Sequence, residues 1–305
     1  MGLIETWAKY RVLDARQREF INSRQRVCVL TKKEWFQFLR PLAEFDMAGD
    51  RMRGGLGCSI FVCFFIGMIT LVLFPPLGVL LWIATFVIWI IYRMLAKRDL
   101  NNNLREFILP LVEILSQDMD SDAGLKMRID LRGFDIDSKR ISHREENTGW
   151  FAPYPRTIEN QYQDPWLEGE TRLADGTTLS WKITDHIRKR EVTSKRTGVS
   201  KTKIRTKTKY KIRQMLQLRL APKHDRYVLA CPGSGKPELE SAQGDSGVTS
   251  GDRIAHRLGN NRHVLTSERF HMESQIDHVF PKDLFVKSLG ELFMRVRPIS
   301  GESKG

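Results

Sequence analysis

Cysteine is scarce in this chain and follows no pattern. The four cysteines are Cys28, Cys58, Cys63 and Cys231, with no C-x-x-C pair and no spacing typical of a metal site. Two of them lie inside an apolar run. These features exclude a disulfide framework and give no reason to expect a structural zinc. The chain has no internal repeat. No secretory signal is expected, because the first apolar run begins only after 55 polar-rich residues.

Catalytic motifs are also wanting. Gly233-Ser234-Gly235-Lys236 is similar to the end of a phosphate-binding loop. The full pattern needs glycine at position 230 and serine or threonine at 237, where Ala230 and Pro237 stand. Gly244-Asp245-Ser246-Gly247 is similar to a serine-protease nucleophile loop, but it sits in a polar Gly-, Ser- and Pro-rich linker that reads as a flexible loop. His256, His263, His271 and His278 are spaced to match no metal motif. No nucleophile, base and orienting group stand out together. The chain therefore reads as a non-enzyme, with no cofactor and no metal expected.

One long segment has no charge at all. Leu56 to Tyr92 is a 37-residue run without Asp, Glu, Lys or Arg. A bilayer core takes about 20 apolar residues in helix, so the run is too long for one span. Pro75 and Pro76 interrupt its middle, where two successive prolines cannot continue a helix. The expected structure is a two-helix transmembrane hairpin, Leu56 to Phe74 and Leu77 to Tyr92, with a re-entrant hairpin as the alternative. At about 1.5 Å per residue the second helix is about 24 Å long, short for a full span. Arg93 and Lys97 extend it by snorkelling. Trp82, Trp89 and Tyr92 suit the interface, and Gly57 and Gly67 suit close helix packing. Arg51 and Arg53 precede the run, and Arg93, Lys97, Arg98 and Arg105 follow it. Positive flanks stay inside, so both termini are expected in the cytoplasm, with the protein in the cell membrane.

Around the hairpin the expected architecture is α+β: N-terminal helices in residues 1–53, the hairpin in 54–93, and a cytoplasmic antiparallel β-rich domain with flanking helices in 94–305. Leu3 to about Leu30 has helix-forming composition. Thr31 and Glu34 fit a capping box that opens a further helix turn. Its apolar face, Trp35, Phe36, Phe38 and Leu39 before Pro41, suits either the membrane surface or packing on the protein's own later domain. Asn101 to Ser116 is helix-patterned, with Pro110 expected to kink it. Leu125 to Phe134 alternates as a strand, and residues 135–163 read as loop. Trp166 to Leu173 and a second run from Thr177 form a hairpin about Asp175-Gly176. Arg226 to Cys231 reads as one more strand, and Leu284 to Val296 as a short amphipathic helix covering a sheet.

What the chain has in excess is positive charge in one place. The net charge is +13, and the 32 residues from Lys182 to Arg213 hold thirteen basic residues against two acidic ones. Within Ser200 to Arg213 every second residue is basic: Lys201, Lys203, Arg205, Lys207, Lys209, Lys211 and Arg213. A helix scatters these around its axis; a strand sets all seven on one face. Thr, Ile and Tyr between them are strand formers. The expected basic β-hairpin covers about residues 178–220, reversing near Arg196-Thr197-Gly198. Its partner strand adds Lys182, Arg188 and Arg190. The opposite face, Ile204, Tyr210, Ile212, Leu216, Leu218 and Leu220, is expected to turn to a core. Such a field implies an anionic partner, either the membrane surface or nucleic-acid phosphates. The competing reading is an edge strand kept charged against aggregation. Only Tyr210 interleaves the cations, which argues against base stacking.

Taken together, the sequence reads as a membrane-anchored binding or scaffold protein. The alternative is a membrane effector whose cytoplasmic domain senses a ligand or partner and drives assembly of the hairpin. A second copy of the chain and a separate protein partner both stay open.

Overall fold

The computed structural model describes residues 2–120, 122–147, 156–197, 202–229, 253–259, 262–273 and 278–299. The chain is α+β and divides into two compact units, Met1–Arg24 with Lys33–Val112 and Gln25–Lys32 with Glu113–Gly305.

The first unit is helical. It opens with α1 (Gly2–Val12) and α2 (Ala15–Ser23). A capping box starts α2: the Asp14 carboxylate accepts from the Gln17 amide at 2.6 Å, and the Gln17 side chain accepts from the Asp14 amide at 2.9 Å. This satisfies donors that the first helical turn leaves free. Arg24, at φ 55°, ends the helix in the left-handed conformation. The helix expected to reach Leu30 therefore stops here. Gln25–Thr31 is instead a strand, β1, which belongs to the second unit.

Helix α3 follows at once, immediately after Thr31, and runs unbroken from Lys32 to Leu73, 42 residues. Pro41 does not end it. Proline has no amide to give the carbonyl four residues back. The carbonyl so orphaned belongs to Gln37, and the buried side-chain amide of Gln17 donates to it at 3.1 Å and to Phe38 at 3.0 Å. The aromatic face at this level goes to the interior: Trp35, Phe38 and Leu39 are buried, and Phe38 packs edge-on to Phe20 and Trp35.

Helix α4 spans Pro75–Lys97, starting earlier and ending later than the sequence suggests. The two prolines are its first residues, where the missing amide costs nothing and the fixed φ favours helix. The break is confined to Phe74. At about 1.5 Å per residue, 23 residues cover about 34 Å. Both α3 and α4 are long and apolar enough to cross a membrane, and their most apolar windows are 6% and 0% buried. They meet near the break. A Cβ on Gly78 would overlap the Leu71 backbone, and one on Gly67 would lie 2.9 Å from the Trp82 ring. Gly57 has nothing within 4 Å and plays no such part. A π-turn at Leu104–Ile108 then leads into α5 (Leu109–Asp118), so the irregularity expected at Pro110 lies just ahead of it.

The second unit is built on an eight-stranded antiparallel sheet. Its strands are β1, β2 (Gly124–Asp130), β3 (Arg140–Asn147), β4 (Arg156–Arg172), β5 (Thr178–Thr197), β6 (Thr202–Ala221), β8 (Arg253–Gly259) and β9 (Arg262–Glu273). The order is β1-β2-β4-β5-β6-β9-β8, with β3 on the outer half of β4. β7 (Tyr227–Leu229) pairs with β10 (Val296–Pro298) in a small second sheet. The region 135–163 is thus not a loop: it holds a 3₁₀ turn at Asp137–Lys139, β3 and the start of β4. The turn at Asp175-Gly176 forms as expected, with Gly176 at φ 82°.

One sheet face carries the core. Leu179, Trp181 and Ile183 on β5 and Leu216, Leu218 and Leu220 on β6 are buried, each such side chain contributing about 1.5–3 kcal/mol. Helix α6 (Lys282–Met294) covers this face through Phe285, which meets Trp181 edge-on, while Phe280 just before it packs on Trp166. Gly169 opposes Trp181 in the ladder, and the indole fills the space that a Cβ would need.

Candidate anion-binding face

Strands β5 and β6 pair without a slip from Thr178↔Ala221 to Thr197↔Thr202. Strand β9 pairs with β6 only as far as Ile212↔Glu273. Beyond that level, among the described residues, the second edge of β6 has no partner strand. The two strands continue outward as an arm for about ten residues, or about 33 Å at about 3.3 Å per residue. Strands β4 and β3 line the inner part of its other edge. Residues 198–201, including Gly198 and Lys201, lie outside the described residues.

Antiparallel register fixes which cations share a face. Lys203, Arg205, Lys207, Lys209, Lys211 and Arg213 are all exposed on one face of β6. Lys211 stands opposite Arg188, Lys209 opposite Arg190, and Arg213 opposite His186. Lys182, nearer the body, shares that face opposite Gln217. The alternation read from sequence therefore holds for the described cations, but the rear of the arm is different. Ile204 does not turn to a core: it is 58% exposed. Tyr210 is only partly buried, against Tyr162, Ile187, Ile212 and Phe134. Residues 203–209 are exposed on both faces, because the packed part of the sheet ends at Ile212.

The cations fall into two sets. Some are engaged: Arg188 pairs with Glu159 at 2.5 Å, Lys182 with Glu168 at 2.8 Å, and the Arg213 guanidinium lies 3.7 Å from the centre of the Phe270 ring. Arg188 holds Glu159 below the usual carboxylate range, and burial followed by the Arg213 charge pushes His186 below an ordinary imidazole. The others, Lys203, Arg205, Lys207, Lys209, Lys211 and Arg190, have no carboxylate within ion-pair distance among the described residues. Glu159 and Glu168 are the residues that sequence reasoning missed. They lie on β4, and Glu159 falls within the stretch read as loop, so their place on this face emerges only from the register with β5.

Two polar clusters lie elsewhere. Asp46, Asp50 and Asp99 in the first unit bring carboxylate oxygens within 4.8 Å of one another. Arg53 bridges Asp50 and Asp99, and Arg105 lies 3.1 Å from Asp50 and 3.5 Å from Asp46, so two guanidiniums offset most of the charge of the three carboxylates. In the second unit Asp164, Asp185, Gln214 and His271 follow one another across β4, β5, β6 and β9 on the core face. Lys139 donates to Asp164 at 2.6 Å, while Trp166 and Gln214 each donate to Asp185 at 3.3 Å. Burial pushes Asp185 up to about 6, against the opposing pull of His278. The row's hydrogen bonds join β4, β5 and β6 on the core face. The four histidines singled out by sequence are split: His271 and His278 belong to this row, and His256 and His263 lie together at the other end of β9.

The glycine-lysine loop at 233–236 and the serine loop at 244–247 lie outside the described residues. Comparison of the chain with protein-family models, with curated proteins and with solved structures finds no match to any of them.

Proposed function

We propose that this is a membrane-anchored, non-enzymatic binding or scaffold protein. Helices α3 and α4 form a transmembrane hairpin with both termini in the cytoplasm, and the β5–β6 arm presents its basic face to a phosphate-bearing surface. The observation that carries this reading is the row Lys203, Arg205, Lys207, Lys209 and Lys211. These side chains are exposed on one face and have no ion-pair partners among the described residues. Directly opposed like charges destabilise a ladder. Lys209 with Arg190 is such a pair, with no ion-pair partner for either among the described residues, and an external anion offsets that repulsion.

Anionic lipid headgroups are the partner we favour, because the same chain carries two helices long and apolar enough to span a bilayer. Each cation at an anionic leaflet is worth about 1 kcal/mol, so five give about 5 kcal/mol. A weak contact of this size suffices for a tethered domain, whose effective concentration at the surface is high.

The test uses the full chain in nanodiscs of phosphatidylcholine. Binding is measured to vesicles of phosphatidylcholine with and without phosphatidylserine, and to duplex DNA, across a salt series. The comparison is the variant Lys203→Glu/Lys207→Glu/Lys211→Glu. Binding to the phosphatidylserine vesicles alone, lost in the variant, is expected. Binding to DNA with a steep salt slope makes the arm a nucleic-acid tether instead. Binding to neither sinks the phosphate reading and leaves a charged, protected strand edge.

A further inference from the structure

Three imidazoles from separate segments meet at one end of the sheet. His256 is on β8, His263 on β9, and His224 in the turn between β6 and β7. Leu258 opposes His263 and His256 opposes Leu265, so the two strand histidines are diagonal neighbours on one face. The Nε2 of His256 lies 3.4 Å from the Nδ1 of His263. The His224 ring stacks on His263 with centroids 5.0 Å apart, and the His256 ring lies 5.5 Å from it. His263 is 7% exposed, whereas His224 and His256 are exposed and leave the cluster open to water.

The spacing has a specific meaning. Two nitrogens bound to one tetrahedral zinc at about 2.0–2.1 Å lie about 3.3–3.4 Å apart. As a hydrogen bond between two rings, 3.4 Å is longer than the usual range. The Nδ1 of His263 is turned to His256. A neutral ring has the lone pair that a metal requires. Its Nε2 is buried without a hydrogen-bond partner, so the ring makes little of its polar capacity within the protein.

We propose that His224, His256 and His263 form a binding site for a divalent transition-metal ion of the zinc type. His256 and His263 are the paired ligands, His224 swings in from its exposed turn as the third, and water completes the coordination. Imidazole sets of this kind suit zinc, nickel and copper rather than magnesium or calcium. The bound ion joins the β6–β7 turn to the β8–β9 hairpin, two segments separated by a long stretch of sequence. This site is independent of the basic arm.

The test uses the tag-free full chain in detergent, titrated with Zn²⁺ by calorimetry and with Co²⁺ by visible absorption. One equivalent is expected to bind, with tetrahedral-type Co²⁺ bands. His256→Ala, an exposed position, is expected to weaken binding about tenfold or more, since even outer-shell partners of a ligand are worth 10–100-fold. Its metal-free melting temperature should match that of the parent chain. His263→Gln should act likewise, and Asp50→Asn, in the acidic cluster, should bind as the parent does. No heat and no absorption change at millimolar metal overturns the proposal. So does unchanged affinity in His256→Ala, or loss of binding in Asp50→Asn.

Discussion

Arg188 and Lys211 stand directly opposite one another on the exposed face of the β5–β6 ladder, and Arg188 resolves the repulsion by pairing with Glu159 at 2.5 Å on the next strand. Glu159 therefore has two effects. It settles one cation, and it subtracts one unit of charge from the face. Arg188 is exposed and Glu159 half-buried, and a pair open to water on one side adds little to stability. Glu159→Gln should leave the melting temperature nearly unchanged and raise affinity for phosphatidylserine vesicles about fivefold, the worth of one charge at an anionic leaflet. Vesicle co-sedimentation at two salt concentrations reads this directly. Weaker binding in the variant shows instead that Glu159 is needed to aim Arg188.

The contact between Gly78 and Leu71 makes a second prediction. The backbone of α3 occupies the space that a side chain at position 78 would fill. Gly78→Ala should destabilise the helical pair by about 1–3 kcal/mol, the usual range for overpacking. Gly57→Ala, with nothing within 4 Å, is the control and should stay within about 0.5 kcal/mol. Thermal melts in one detergent compare the two. Equal stability of both variants would show that α3 and α4 do not meet at Gly78.

Asp185 makes a pH prediction. Burial holds its folded pKa at about 6, above the ordinary carboxylate value near 3.9. Between these values the folded chain keeps a proton that the unfolded chain has lost. The contribution of this carboxyl to stability therefore falls as pH rises from about 4 to about 6, and stays reduced above that. Asp185→Asn cannot ionise and escapes the penalty. Relative to the parent, the variant should gain about 1–3 kcal/mol between pH 4.5 and pH 7.5 in urea unfolding. A difference that does not change with pH would mean that Asp185 is ionised throughout.

How far the fold is legible depends on what each strand buries. β5 and β6 read clearly because Leu179, Trp181, Ile183 and Leu216, Leu218, Leu220 alternate toward a core. β9 alternates just as regularly in burial, but its inward residues include His263, Ser267 and Arg269, and Arg269 is balanced by Glu291 of α6. Polar residues at core positions erase the pattern that sequence reading depends on. β3 has no pattern to find, since the side chains of residues 140–146 are all exposed. β1 hides behind helix-forming neighbours, and only the left-handed turn at Arg24 separates it from α2. The basic face itself is legible, because a period of two in charge survives without a core. The glutamates that temper it and the meeting of His224 with His256 and His263 are not, because both depend on pairing between distant strands.

The bond from Gln17 to the carbonyl that Pro41 leaves unserved makes one helix conditional on another. Without the donor from α2, α3 keeps a hinge at its tenth residue; with it, the helix is continuous. The rigidity of the segment leading to the apolar run is thus borrowed rather than intrinsic.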